Sequence, residues 1–167
     1  RRLGHTIVEV RPSLTPLVTN MSRVRALKGL SLRNIAASLR VDGKIVSREF
    51  GEMEFTPYVA GPIILRMSRI AVDALIDERR VDIVIDLKPA LSEKQLQNRL
   101  VREWNALGRN ADRKSLLRKL LPAQLLPVFE SRLPVRSDRR FLCDEQECSQ
   151  IIRLLKENDV GYLKVDY

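Results

Sequence analysis

The sequence predicts an α+β fold in which five to seven short strands and a cluster of helices occupy separate stretches of the chain. Three observations carry this. Up to about residue 56 the chain is rich in β-branched residues and punctuated by turns. Between residues 91 and 157 it is dominated by Leu, Arg, Lys and Gln at helical spacing. The last residues, Tyr162-Leu163-Lys164-Val165-Asp166-Tyr167, alternate with period two and return the chain to the strand-rich part. The predicted division is residues 1–90 plus 160–167, with a helix at 62–77, against residues 91–159, with the boundary at Lys88-Pro89-Ala90.

Thr6-Ile7-Val8-Glu9-Val10 predicts a first short strand, interrupted by Pro12 and Pro16, which cannot donate to a ladder. An irregular connector follows. Residues 32–41 and 44–56 flank Asp42-Gly43, a pair suited to a type I′ turn with positive φ at both central positions. Gly51, inside the second arm, marks a bulge or a sharp bend. Gly61-Pro62 opens a helix, because proline at the first position loses no hydrogen bond. Its apolar set is Ile63, Met67, Ile70 and Ala74, with Ile64, Ala71 and Leu75 beside it. Val81-Asp82-Ile83-Val84-Ile85-Asp86-Leu87 alternates as a half-buried strand, with Asp82 and Asp86 expected on its solvated side and the hairpin as its nearest partner.

Ser92 and Gln95 form a capping box, with Leu91 and Leu96 as its hydrophobic staple. The helix they open buries Leu96, Leu100, Trp104 and Leu107 and stops at Gly108. A second helix over 112–121 buries Leu116, Leu117 and Leu120, and a short third follows over 122–131. Asp144 and Glu147 cap a fourth, whose Ile151, Ile152, Leu154 and Leu155 face inward before residues 158–161 end it. Both chain ends are then expected close together in the strand-rich part, as in a domain inserted into another.

The 167 residues carry a net charge of +9. Eleven Lys and Arg against four Asp and Glu concentrate it between Gln97 and Arg140. Aromatics for stacking on bases are almost absent there, which disfavours nucleic acid, and a solvated face or an acidic partner serves equally well. No apolar run approaches the roughly 20 residues that cross a bilayer, so no membrane is expected. Cys143 and Cys148 with the lone His5 cannot assemble a four-ligand zinc site, and cysteine usage suggests a reducing compartment. The sequence contains no phosphate-binding loop, no G-x-G-x-x-G and no hydrolase or metalloprotease signature. No residue is assigned a catalytic, metal-binding or cofactor-binding role.

Gly51-Glu52-Met53-Glu54-Phe55-Thr56-Pro57-Tyr58-Val59-Ala60-Gly61-Pro62 resembles the insert-domain signature of the aminoacetone-oxidase-like (BaiN/RdsA-like) FAD-binding flavoproteins, Gly-Glu-x-x-Phe-Thr-His-x-Gly-x-Ser-Gly-Pro. The flanks agree in order: Leu3-Gly4-His5-Thr6-Ile7, Pro12-Ser13-Leu14-Thr15-Pro16-Leu17, Leu30-Ser31-Leu32-Arg33-Asn34-Ile35 and Asp86-Leu87-Lys88-Pro89. The stretch is one residue shorter than the family's. Pro57 follows Thr56 and Ala60 precedes Gly61, so the family histidine and serine have no clear counterpart.

The resemblance implies a small antiparallel β-barrel subdomain joined to an all-helical bundle subdomain, the excised insert domain of a cytoplasmic FAD-dependent oxidoreductase. The fragment alone is expected to be no enzyme and to bind no FAD. Its partners would be the FAD-binding Rossmann-like domain of the same parent chain and the parent's small-molecule substrate. Thr56, Tyr58, Gly61 and Pro62 are the substrate-pocket candidates, with the plain reading of Gly61-Pro62 as a helix start left open beside it. The rival readings are a basic RNA-binding module and a protein-interaction domain without a small ligand.

Overall fold

The computed structural model describes residues 4, 9–19, 25–108, 112–134 and 145–164, with side chains up to residue 159. It has β1 (Val18–Thr19), β2 (Ser31–Val41), β3 (Lys44–Phe55), β4 (Val59–Ala60), α1 (Pro62–Ile76), β5 (Val81–Asp86), α2 (Glu93–Leu107), α3 (Arg113–Arg118), a 3₁₀ turn (Ala123–Leu125) running into α4 (Leu126–Arg132), α5 (Glu145–Lys156) and β6 (Asn158–Lys164). The six strands form one sheet in the order β1-β6-β5-β2-β3-β4, with every pairing antiparallel.

The hairpin predicted at Asp42-Gly43 is present, with φ of 50° and 79° at the two positions. Two register shifts bend the sheet. One shift sets Arg33 and Asn34 against Glu52, next to Gly51, and the other sets Val46 as the extra residue on β3. The curl brings the two edge strands together: the Leu17 N–H donates to the Val59 carbonyl at 2.9 Å and the Val59 N–H to that of Leu17 at 2.8 Å. That bridge closes the sheet into a barrel at one end. Toward the other end β4 is too short to cover β3, and α1 lies there instead. Its Ile63 Cγ2 sits 3.0 Å from where a Cβ on Gly51 would be, and Arg66 reaches Glu49 at 2.7 Å.

The buried face of α1 is wider than its apolar period indicates. Ser68 and Val72 are buried along with Ile63, Ile64, Met67, Ala71 and Ala74, whereas Ile70 is exposed. The connector before β1 is the reason. The Thr15 N–H donates to Ser68 Oγ at 3.1 Å, and the Arg11 guanidinium bonds Asp73 at 3.2 Å, holding its carboxyl below the usual range. Glu9 and Val10 lie outside any strand, and the rest of the predicted first strand falls outside the described residues, as do His5, Cys143 and Asp144.

The capping box at Ser92 and Gln95 forms as expected, with Gly108 at the helix end at φ 77°. Leu96 and Leu100 are buried, and Trp104 and Leu107 pack half-buried against the same core. The second helix is shorter than 112–121: α3 ends at Arg118, and turns bring Leu120 and Leu121 inward. The final strand starts at Asn158 rather than after Gly161, so α5 passes into β6 across a single residue. Buried residues from Leu17 to Leu155 make one continuous core. At its seam, Lys156 Nζ donates to Asp86 Oδ2 at 2.6 Å and to the Lys88 and Leu91 carbonyls at 3.2 and 3.0 Å. All three ammonium hydrogens are thereby engaged.

Two glycines test this geometry. A Cβ on Gly43 would meet open space, leaving only the strain of positive φ, whereas one on Gly61 (φ 103°) would lie 2.8 Å from Met53 Cα. Gly43→Ala should therefore lower stability by about 1 kcal/mol and Gly61→Ala by at least about twice that, read as urea midpoints. The cap of α3 gives a pH test. The Ser115 hydroxyl and then its backbone N–H hold the Asp112 carboxyl below its ordinary pKa. A depressed carboxylate stabilises the fold above the unfolded value, about 3.9, and loses that contribution as pH falls through the folded value. Asp112→Ala should cost about 1 kcal/mol at pH 7, and the gap to the parent should shrink below about pH 4.

Candidate functional site

The residues from Thr56 to Gly61 form a turn fixed by backbone bonds on both sides. Ahead of it, the Phe55 N–H donates to the Leu30 carbonyl at 2.9 Å and the Gly29 N–H to the Phe55 carbonyl at 2.6 Å. Within it, the Thr56 N–H donates to the Tyr58 carbonyl at 2.9 Å, and the Tyr58 N–H donates back to Thr56 Oγ1 at 3.1 Å. The hydroxyl itself donates to the Tyr58 carbonyl at 3.2 Å, so Thr56 folds the turn over Pro57. After it, Val59 makes the closing bridge to Leu17, and the Gly61 carbonyl accepts from the Ile64 and Leu65 N–H groups as α1 begins.

All four candidate residues therefore stand on one short, rigid segment. Their surroundings differ in exposure. Val59 and Ile63 are fully buried, so their apolar character serves the barrel, and Tyr58, 40% exposed, is the large side chain the turn presents to solvent. Pro62 is exposed at the first position of α1, a 15-residue helix with no acidic residue in its first turn. Its positive end is thus uncompensated by its own carboxylates. The turn lies beside β1, whose Val18 pairs with Lys164 of β6.

The turn does not fit a dinucleotide. Gly61 precedes a helix, but the space a side chain would fill is taken by Met53 Cα at 2.8 Å and the Glu52 carbonyl at 3.0 Å. Its missing side chain lets the chain pass its own strand and is not the open glycine-rich cradle of a pyrophosphate. Among the described residues no group of three or more His, Cys, Asp or Glu could hold a metal. Cys148 is buried in α5.

A second polar constellation escaped the sequence reading. Asp82 lies in the core, at 5% exposure, instead of on a solvated face. Arg40, its register partner across β2 and β5, bonds it through Nε at 2.7 Å and through Nη2. Alternation alone hides this pair, because only the register reveals that a cation stands opposite. On the helical side, Arg132 donates to Oδ1 of the buried Asn158 at 2.8 Å.

Among models of known families, the chain matches the one described as HI0933-like protein barrel and H2TH domain, over residues 11–162. No curated protein matches it. No helix among the described residues is long and apolar enough to cross a membrane. With a match spanning nearly the whole chain and an antiparallel barrel joined to helices, the protein belongs to the HI0933-like barrel and H2TH domain family, the insert domain of the BaiN/RdsA-like FAD-binding flavoproteins.

Proposed function

We propose that this chain is the insert module of a cytoplasmic FAD-dependent oxidoreductase, which covers the flavin and shapes the substrate pocket without performing chemistry itself. A Rossmann-like domain of the same parent holds FAD. Residues 1–90 with 160–167 form the barrel subdomain, and 91–159 the helical one. The Thr56 to Pro62 turn faces the flavin side, with Tyr58 and the start of α1 toward the substrate.

The observation that carries this reading is the combination of rigidity and exposure at Tyr58. An aromatic ring left 40% exposed is set on a turn whose backbone is bonded before, within and after it. Binding residues are favoured where a rigid scaffold presents them, since little ordering entropy is then lost on binding. The uncompensated helix start beside it suits an anionic or electron-rich group. The family match supports the flavoprotein setting.

In the full-length flavoprotein, Tyr58→Ala should lower kcat/KM by about threefold to tenfold, the scale of about 1 kcal/mol of lost contact. Flavin content per chain and the thermal midpoint should stay close to the parent's, because the ring is half exposed and FAD is held elsewhere. Unchanged kinetics would remove the turn from the pocket. An RNA affinity falling steeply with log[salt] would favour the nucleic-acid reading instead.

A further inference from the structure

Two stretches of the sequence carry no charge at all. In a chain of which 31% is Asp, Glu, Lys or Arg, none occurs in the eight residues from Pro12 to Thr19 or in the eleven from Phe55 to Leu65. The bridge between Leu17 and Val59 joins these two stretches in the fold. Around it Pro12, Leu14, Pro16, Pro57, Tyr58 and Pro62 are all exposed, so the surface there is uncharged and largely apolar. Single apolar residues scattered over a surface are ordinary, whereas a group drawn together and depleted of charge has the composition of an interface core.

The first stretch is also rigid. Arg11, at its start, bonds Asp73 of α1 at 3.2 Å, and the Thr15 N–H donates at 3.1 Å to Oγ of the wholly buried Ser68, which itself donates to the Leu65 carbonyl at 2.8 Å. Pro12 and Pro16 have their φ fixed by their rings. Between these anchors Leu14 stands at φ 54°, in the left-handed region, and is 67% exposed. A bulky side chain is strained there, and at that exposure it gains little packing within the chain in return. Such strain is repaid where something covers the side chain, and a backbone already fixed has little entropy left to lose on binding.

We propose that the surface from Pro12 to Pro16, continuous with the turn through the Leu17–Val59 bridge, docks an uncharged, apolar face of the parent's FAD-binding domain. This rests on the flavoprotein reading above and extends it: the turn carries Tyr58 toward the substrate, and the connector beside it holds the two domains together. The family match supplies the occupant, because an insert domain is carried by a FAD-binding chain. A strongly charged partner gains nothing from a surface without counter-charges.

The test is thiol accessibility in the full-length flavoprotein. Leu14→Cys and Ser13→Cys each place a thiol on the exposed connector, and Lys94→Cys places one on the exposed first turn of α2 as the reference. With a neutral maleimide, read peptide by peptide by mass spectrometry, both connector thiols should react at least about tenfold more slowly than the reference, since labelling follows access. The slowing should persist on dilution. Equal rates in a protein that retains its FAD would overturn the docking surface and leave the flavoprotein reading standing. Slowing that vanishes on dilution would assign the surface to a second copy of the chain and overturn the proposal as well. A full-length protein that holds no FAD would remove the reading on which the proposal rests.

Discussion

Two backbone hydrogen bonds between Leu17 and Val59 join the first strand of the sheet to the last, and most of the architecture follows from that join. Without it, β1 and β4, two residues each, would be bare edges with too few bonds to persist. With it, Leu17 and Val59 become wholly buried and the strands enclose Leu32, Ile35, Met53 and Phe55. Closure also dictates the neighbourhood of the proposed functional turn. Thr56 to Gly61 must carry the chain from β3 through β4 to α1 while keeping Val59 opposite Leu17, and only glycine at position 61 clears Met53.

Where the join leaves β3 uncovered, α1 takes the place of a strand, and the helical half attaches through α5 to β5 and β6. Two ion pairs on β5, one within the sheet and one to the helical half, differ in kind. Asp82 is buried in the sheet, where a lone carboxylate would be costly, and the partly exposed Arg40 across the ladder supplies its counter-charge. Asp86 with Lys156 ties the end of β5 to the last turn of α5, aided by two backbone carbonyls and by the Leu87 N–H donating to Leu155 at 2.8 Å. The helical half is therefore bonded to the sheet through both side chain and backbone at the end of β5.

Strong local signals made much of this legible in the sequence. Asp42-Gly43 defined the hairpin, Gly61-Pro62 the start of α1, and Ser92 with Gln95 the start of α2, because each encodes its own backbone geometry. The closing strands were not legible: two residues are too short to show a period, and their pairing spans some forty positions of sequence. For the same reason Ile70 was expected inside and Asp82 outside, since the connector packing on Ser68 and the arginine across the ladder are long-range facts. The candidate turn was legible from its resemblance to the family signature and the burial of Ile63 from the helical period, while the burial of Val59 was not, and Arg40 with Asp82 and Arg132 with Asn158 carried no local pattern that would draw them together.

Amide hydrogen exchange at Leu17 and Val59 tests the closure most directly. If the bridge holds the barrel together, both amides should exchange only through global unfolding, with protection matching that of the amides bonded between β2 and β5. Exchange at Leu17 and Val59 as fast as at the exposed Val10 would show that the sheet is open there, and the account of both the barrel and its turn would fail.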